Sequence, residues 1–328
     1  MNHCSGIIYA YQIDGKGEAQ SLLPLVLDAE GIPVSGQAID AAVSGRIRAA
    51  LDAPELAWVH LDINEPSARE WAHAELDFLD ALTVDALFAE ETRPRILEFE
   101  QGTLLILRGV NLNAEAEPED MVSIRLWIDA TRIVSVRRRR LKAVTDLRER
   151  LESGTGPRSA GDFITQLAGR LFERMEPVFS ELDGELDDAE EQVMEDPDAK
   201  YRAHITDIRK RAIVFRRYIA PQRDVIAALR VSDMPWLSEM HKRRLQESLD
   251  RVIRYIEDID TIRERAQIVK DELTNALSDR MNKNLYMLSV IAAVFLPLGF
   301  LTGLLGINVG GVSGVDDPRA FWVFSGLL

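Results

Sequence analysis

The 328-residue chain has a single cysteine, Cys4, so no intramolecular disulfide can form, which suits a reducing compartment. Histidine is also scarce. His3, His60, His73, His204 and His241 are scattered, and no two of them sit four residues apart as helical metal ligands would. The sequence has no Gly-rich phosphate loop and no Gly-x-Ser-x-Gly turn. No catalytic constellation remains, and no enzyme is read from the residues. Basic charge is in deficit: 39 Lys and Arg against 54 Asp and Glu give a net charge of −15. That argues against a nucleic-acid partner, which favours basic surfaces. Residues 1–31 lack the basic and apolar regions of a secretory leader, so the N-terminal body is expected to stay in the cytosol.

Two local absences say more. From Leu237 to Leu296 there is neither proline nor glycine. From Leu285 to Ile307 there is no charged residue. About 20 apolar residues in a helix cross the roughly 30 Å hydrocarbon core of a bilayer. The second stretch therefore reads as a membrane span, at the end of one uninterrupted helix on the order of 100 Å long.

The N-terminal half reads as an α/β domain, residues 1–160, with an antiparallel or mixed sheet and flanking helices. Ile7–Ile13 and Leu22–Leu27 flank the turn Asp14-Gly15-Lys16-Gly17 as a hairpin. Helices are expected over Ile39–Leu51, Ala68–Leu79 and Thr83–Glu91, and a buried strand over Leu56–Asp62. Arg95–Glu100 with Thr103–Leu112, and Val122–Asp129 with Arg132–Arg137, read as two further hairpins. His60, between Val59 and Leu61, reads as a core histidine rather than a ligand. The basic run Arg137–Arg140, with Lys142, reads as a solvated patch held by ion pairs. The alternative is an anion site or a subunit contact.

Residues 161–284 read as a stalk of long helices. Ile164, Leu167, Leu171, Met175, Val178, Leu182 and Leu186 make one apolar stripe, with Pro177 as a kink. The acidic stretch Glu181–Asp196 is followed by a helix over Lys200–Leu229 rich in arginine, so the two are expected to pair with their charges facing. The acidic run is read as a solvated face, with a cation site as the alternative. After Met234-Pro235-Trp236, a third helix carries Leu245, Leu249, Val252, Ile256, Ile259, Ala266, Leu273 and Leu277 at coiled-coil-like spacing, interrupted at Arg263 and Lys270.

Arg280 and Lys283 precede the span, and no basic residue follows before Arg319. The positive-inside rule keeps the N-terminal body cytosolic. Residues 309–319 then form an outer loop, and 320–328, with Phe321 and Trp322, begin a second span too short to cross alone. Within the first span (residues 285–308), Leu285, Ser289, Ala292, Leu296, Gly299, Gly303 and Gly306 share one face. Two readings stay open for it: close packing through a small-xxx-small pair, or the wall of a pore. With no charge in the span, an ion must keep most of its water and meet amide, hydroxyl and carbonyl groups.

The stretch Pro297-Leu298-Gly299-Phe300-Leu301-Thr302-Gly303-Leu304-Leu305-Gly306-Ile307-Asn308 resembles the first transmembrane helix and signature of the CorA superfamily of divalent metal ion transporters. Val309-Gly310-Gly311 is similar to its zinc-transporting ZntB branch. So are Trp58–Asp62, Glu91–Arg95, Leu107–Leu112 and Arg132–Arg137. The resemblance implies a homopentameric funnel with two spans per subunit in a bacterial inner membrane, no bound cofactor, and Zn2+ as the transported ion. It implies a pore face of Asn282, Leu285, Ser289, Ala292, Leu296, Gly299 and Gly303. Asn308, in the signature Gly306-Ile307-Asn308, would form an amide ring that receives the hydrated cation. Ile307 stands where the family has Met, and the acidic Met-Pro-Glu of magnesium channels is missing. Both departures favour zinc over a CorA-like Mg2+/Co2+ channel. Proton coupling, known in that branch, would need a titrating group outside the span, with Asp316, Asp317 or the cytosolic acids as candidates. The reading from another class is a membrane-anchored scaffold that transports nothing.

Overall fold

The structure is a computed structural model that describes residues 6–28, 33–34, 39–90, 93–306, 314 and 316–327. The chain opens with β1 (Ile7–Ile13) and β2 (Ala19–Ser21). The Asp14 carboxylate accepts N–H bonds from Lys16, Gly17 and Glu18 at 2.8–3.0 Å. Gly15 and Gly17 take φ of +73° and +113°, a region open mainly to glycine. This turn closes so early that the return strand is Ala19–Ser21, not the expected Leu22–Leu27. Pro24 has no N–H to extend the ladder, and Leu27 makes only an isolated bridge to Pro33.

Next come α1 (Ala41–Leu51), β3 (Leu56–Asp62), α2 (Pro66–Glu75) and α3 (Ala81–Leu87). Their limits differ from the sequence reading because capping sets them. Asp40 accepts from Val43 N–H and Asp80 from Thr83 N–H, each at 2.8 Å. Pro66 opens α2 in its first turn, where a missing N–H costs nothing. Then follow β4 (Arg95–Glu98), β5 (Thr103–Gly109), β6 (Val122–Ile128) and β7 (Arg132–Arg137). One seven-stranded sheet results, in the order β2-β1-β3-β7-β6-β5-β4. It is mixed: β3 and β7 run parallel with Trp58 opposite Ile133, and the other neighbours are antiparallel.

Both faces of the sheet are covered. One core joins Ala57, Val59 and Leu61 to the helices α1–α3. The other joins Tyr9, Tyr11, Trp58, Leu105 and Leu126 to the long helices. Two-sided burial explains why the strands read as continuous apolar runs.

The helical half is α4 (Lys142–Glu152), α5 (Ala160–Glu173), α6 (Glu176–Glu195), α7 (Tyr201–Val231), α8 (Glu239–Leu305) and α9 (Ala320–Leu327). The sequence reading missed α4 because its charged residues mask a stripe of Ala143, Val144, Leu147 and Leu151, all buried. Pro177 does not kink a helix. The chain breaks at Arg174–Met175, and Pro177 starts α6. Ile262 and Val269, both 1 % exposed, complete the apolar stripe of α8. Arg263 and Lys270 lie beside it and do not interrupt it. The stripe packs inside the chain against α5, α6 and α7.

The expected face-off between acidic α6 and basic α7 comes down to one pair among the described residues, Arg211 with Glu185 at 2.6 Å. The cation that gathers the acids is on α8. Arg265 reaches Asp183, Asp187 and Glu190 at 3.1, 2.6 and 2.7 Å. The physical reason is packing order: α6 lies over α8, with α7 alongside.

Candidate functional site: the span of the long helix

Helix α8 starts with a capping box. The Ser238 hydroxyl accepts from His241 N–H, and His241 Nδ1 accepts from Ser238 N–H. It ends at Gly306, whose N–H donates to the Thr302 carbonyl at 3.0 Å. Its last helical residue is Leu305, and the expected limit at 308 lies outside the described residues. From Leu285 to Leu305 it rises about 31 Å, enough to cross a bilayer. Its most apolar window has a mean hydropathy of 2.2, and none of that window is buried in the chain.

The expected pore residues Asn282, Leu285, Ser289, Ala292, Leu296, Gly299 and Gly303 are all exposed in the single subunit. Leu285 is 53 % exposed and Leu296 77 %. A Cβ added at Gly299 or Gly303 would meet nothing within 4 Å, so these glycines fit no neighbour among the described residues. The Ser289 hydroxyl donates to the Leu285 carbonyl at 2.8 Å, and Thr302 to the Leu298 carbonyl at 2.9 Å. Their donors are spent on the backbone, and their oxygens are left as acceptors. Pro297 lies inside the helix and leaves the Ala293 carbonyl without its usual partner. The span as a whole thus offers oxygen acceptors and no charge, with Ser289 the acceptor on the stripe.

Of the signature, Gly306 caps the helix, whereas Ile307 and Asn308 lie outside the described residues. Asp316 and Asp317 are exposed just before α9, and the Asp317 carboxylate accepts from Arg319 N–H at 2.8 Å. Among the described residues, no three His, Cys, Asp or Glu side chains group as metal ligands. Just before the span Arg280 pairs with Asp196 at 3.0 Å and donates to the Pro197 carbonyl. The turn between α6 and α7 is therefore held beside the start of the span. Tyr286, 73 % exposed, and at the far end Phe321 and Trp322 supply the aromatic groups favoured at membrane interfaces.

The part of the chain before the span holds polar features that bear on stability. His60 is 1 % exposed, stacks on Tyr9, and has Nδ1 2.7 Å from Ser135 Oγ, which also accepts from Trp58 Nε1. It is the core histidine that the sequence suggested. Burial, and then the nearby Arg137 guanidinium, hold its imidazole well below the usual range. Below about pH 6.5 the unfolded chain gains a proton that the folded chain refuses, so stability falls as pH falls. The loss from His60 is about 1.4 kcal/mol per pH unit. Thermal unfolding of the detergent-solubilised protein from pH 7 to 5 should show this slope, and His60→Gln should flatten it. An unchanged slope in the variant would refute the assignment.

The basic run is tied down, as the ion-pair reading expected: Arg139 pairs with Asp120, and Arg140 donates to Thr145 Oγ1. Sequence reasoning missed two features. Gln222, fully buried in α7 after Pro221, accepts from Arg108 N–H at 2.8 Å and ties the stalk to β5. The only sequence signal was a Pro-Gln pair inside a helix. The second is a cleft between α6 and α8, lined by Asp183, Asp258, Arg254 and Arg265. There burial, and then the Asp183 charge, push the Asp258 carboxyl up.

Known proteins share this architecture. The divalent cation transporter CmaX of Pseudomonas aeruginosa is 38 % identical over 323 residues, covering 97 % of this chain and 90 % of its own. The zinc transport protein ZntB of Pectobacterium atrosepticum is 34 % identical over 325 residues, covering 99 % and 91 %. The structure of full-length CmaX superposes with a TM-score of 0.80 at 36 % identity, over 99 % of this chain and 94 % of that one. The α/β domain with its mixed sheet and the long C-terminal helix are therefore a fold shared with transporters rather than enzymes. The profile of the CorA-like Mg2+ transporter protein family matches residues 54–328, and the chain belongs to that family.

Proposed function

We propose that the protein carries Zn2+ and similar divalent cations across a bacterial inner membrane through a homopentameric pore with two spans per subunit. The observation that carries this reading is the Leu285–Leu305 segment. It is free of charge, its most apolar window is unburied, and one face carries small residues and the Ser289 hydroxyl oxygen. A face of this kind suits an ion that keeps its water shell, because no ligand in the span can replace that water. Leu285 and Leu296 are the apolar constrictions, and the Asn308 amides receive the hydrated ion at the outer mouth. Zinc is favoured by the ZntB relatives.

The family description favours Mg2+ as a second reading. Flux into liposomes with Zn2+, Mg2+ and Co2+ in competition separates the two. We expect Zn2+ uptake that excess Mg2+ does not abolish. Imposing and then removing a pH gradient tests coupling to protons, for which Asp316 and Asp317 are the candidate carriers. Absence of flux for all three metals would leave a membrane-anchored scaffold instead.

A further inference from the structure

The helices of the stalk leave unmatched charges of opposite sign on two different faces. Helix α6 carries acidic residues and no basic one. Arg265 and Arg211 take up its inward acids, but Asp188 and Glu191 point outward with no ion pair among the described residues. Met194, 75 % exposed, continues this ridge. Helix α7 is rich in arginine, and most of that charge does not meet α6. Arg209 has no ion pair among the described residues, and its Nε is buried without a hydrogen-bond partner. It lines a groove between α7 and α8 together with Ile213, 44 % exposed, Ile268, 58 % exposed, Gln267, and Arg263, whose charge is met by Asp260 and by Glu264 of the same groove. A soluble surface rarely sets exposed isoleucines beside an unmatched arginine unless something covers them.

The two patches lie at one height. Arg265 fixes that height, because it bonds Asp187 and Glu190, the neighbours of Asp188 and Glu191. Ile268 is within one turn of Arg265 on α8. The same helix continues into the span, so an assembly axis normal to the membrane runs along it. A cyclic ring about such an axis preserves height, and a head-to-tail contact joins two different patches of successive copies. The chain meets both conditions: equal height, and complementary rather than self-complementary charge.

We infer that the outer face of α6 in one subunit docks into the α7–α8 groove of the next, with Asp188 and Glu191 on Arg209 and Met194 against the isoleucines. The occupant is a second copy of this chain, and the inference rests on the pentameric reading above. Ridge and groove together set the direction in which the ring closes. The inward acids of α6 hold α8 within a subunit, and the outward ones bind the neighbour.

Native mass spectrometry of the full-length protein in detergent, over a dilution series, tests this. Asp188→Arg with Glu191→Arg, and separately Arg209→Glu, should each weaken pentamer formation by on the order of tenfold. Asp188 and Glu191 are exposed and Arg209 is half-buried, so circular dichroism should stay unchanged for the acid reversals and serves as the folding check for Arg209→Glu. Combining the reversals restores an attractive pair and should recover assembly. A pentamer unaffected by either reversal, or a combination no better than its parts, would overturn this interface and leave the pentamer standing. A wild-type chain that never assembles would overturn the pentamer and the interface together.

Discussion

Replacing Asn308 with alanine should cut Zn2+ uptake into liposomes by roughly a hundredfold while the assembly stays intact. The span behind Asn308 has no ionisable side chain, so under the proposed function the first polar contact with the ion would carry the selection. A neutral amide cannot strip a divalent cation, but it can hydrogen-bond the water around it. Each such bond contributes about 0.5–1.5 kcal/mol. In the proposed pentamer five copies would act on one ion, so their combined loss would be several kcal/mol, and about 1.4 kcal/mol is already tenfold. Asn308→Asp makes the opposite test. A ring of carboxylates should hold the ion too tightly and slow its release, so flux falls while metal affinity rises. Unchanged uptake in the alanine variant would move the selective step elsewhere, with the hydroxyl face at Ser289 as the next candidate.

Most of this architecture is legible in the sequence. The charge-free span and the long helix without glycine or proline are properties of composition, and α8 is one helix from Glu239 to Leu305. The central strands were legible because apolar runs buried on both faces leave little ambiguity. What escaped the sequence depends on partners distant in the chain. No local pattern shows that Arg265 gathers acids from α6, residues 75 to 82 positions earlier. Charge order alone suggested α6 against α7, but packing put α8 there. Capping moved the limits of α1, α2 and α3, because one Asp or Pro side chain outweighs the drift of an apolar pattern. The role of the glycine stripe was only half legible. Sequence could not separate room for ions from room for helices, and the structure shows no packing partner for these glycines among the described residues.

A single methyl group at Gly161 should do more harm than one at either of two other helical glycines. Gly161 lies in the first turn of α5, against the start of α8. A Cβ built there would lie 2.1 Å from His241 Nδ1, 2.3 Å from His241 Cε1 and 2.6 Å from the Trp236 carbonyl oxygen. The carbonyl belongs to backbone and cannot swing aside. The imidazole can, but Nδ1 closes the capping box of α8 by accepting from Ser238 N–H. Its ring also faces Asp162, which Arg244 binds at 2.7 Å. Gly161→Ala therefore combines overpacking, about 1–3 kcal/mol, with damage to a helix cap worth about 1 kcal/mol. Gly169 in α5 and Gly184 in α6 have nothing within 4 Å of such a Cβ. Alanine at either should stabilise by up to about 1 kcal/mol, through helix propensity alone. Thermal unfolding of the three variants in detergent should split in sign, with Gly161→Ala lower by roughly 5–10 °C and the other two level or higher. Three equal shifts would mean that the junction yields without cost. The split has a functional reading as well, because α8 carries the span at its far end. If the junction at Gly161 holds that helix in place, the Gly161→Ala protein should also lose metal flux at temperatures where it remains folded, and the two control variants should not.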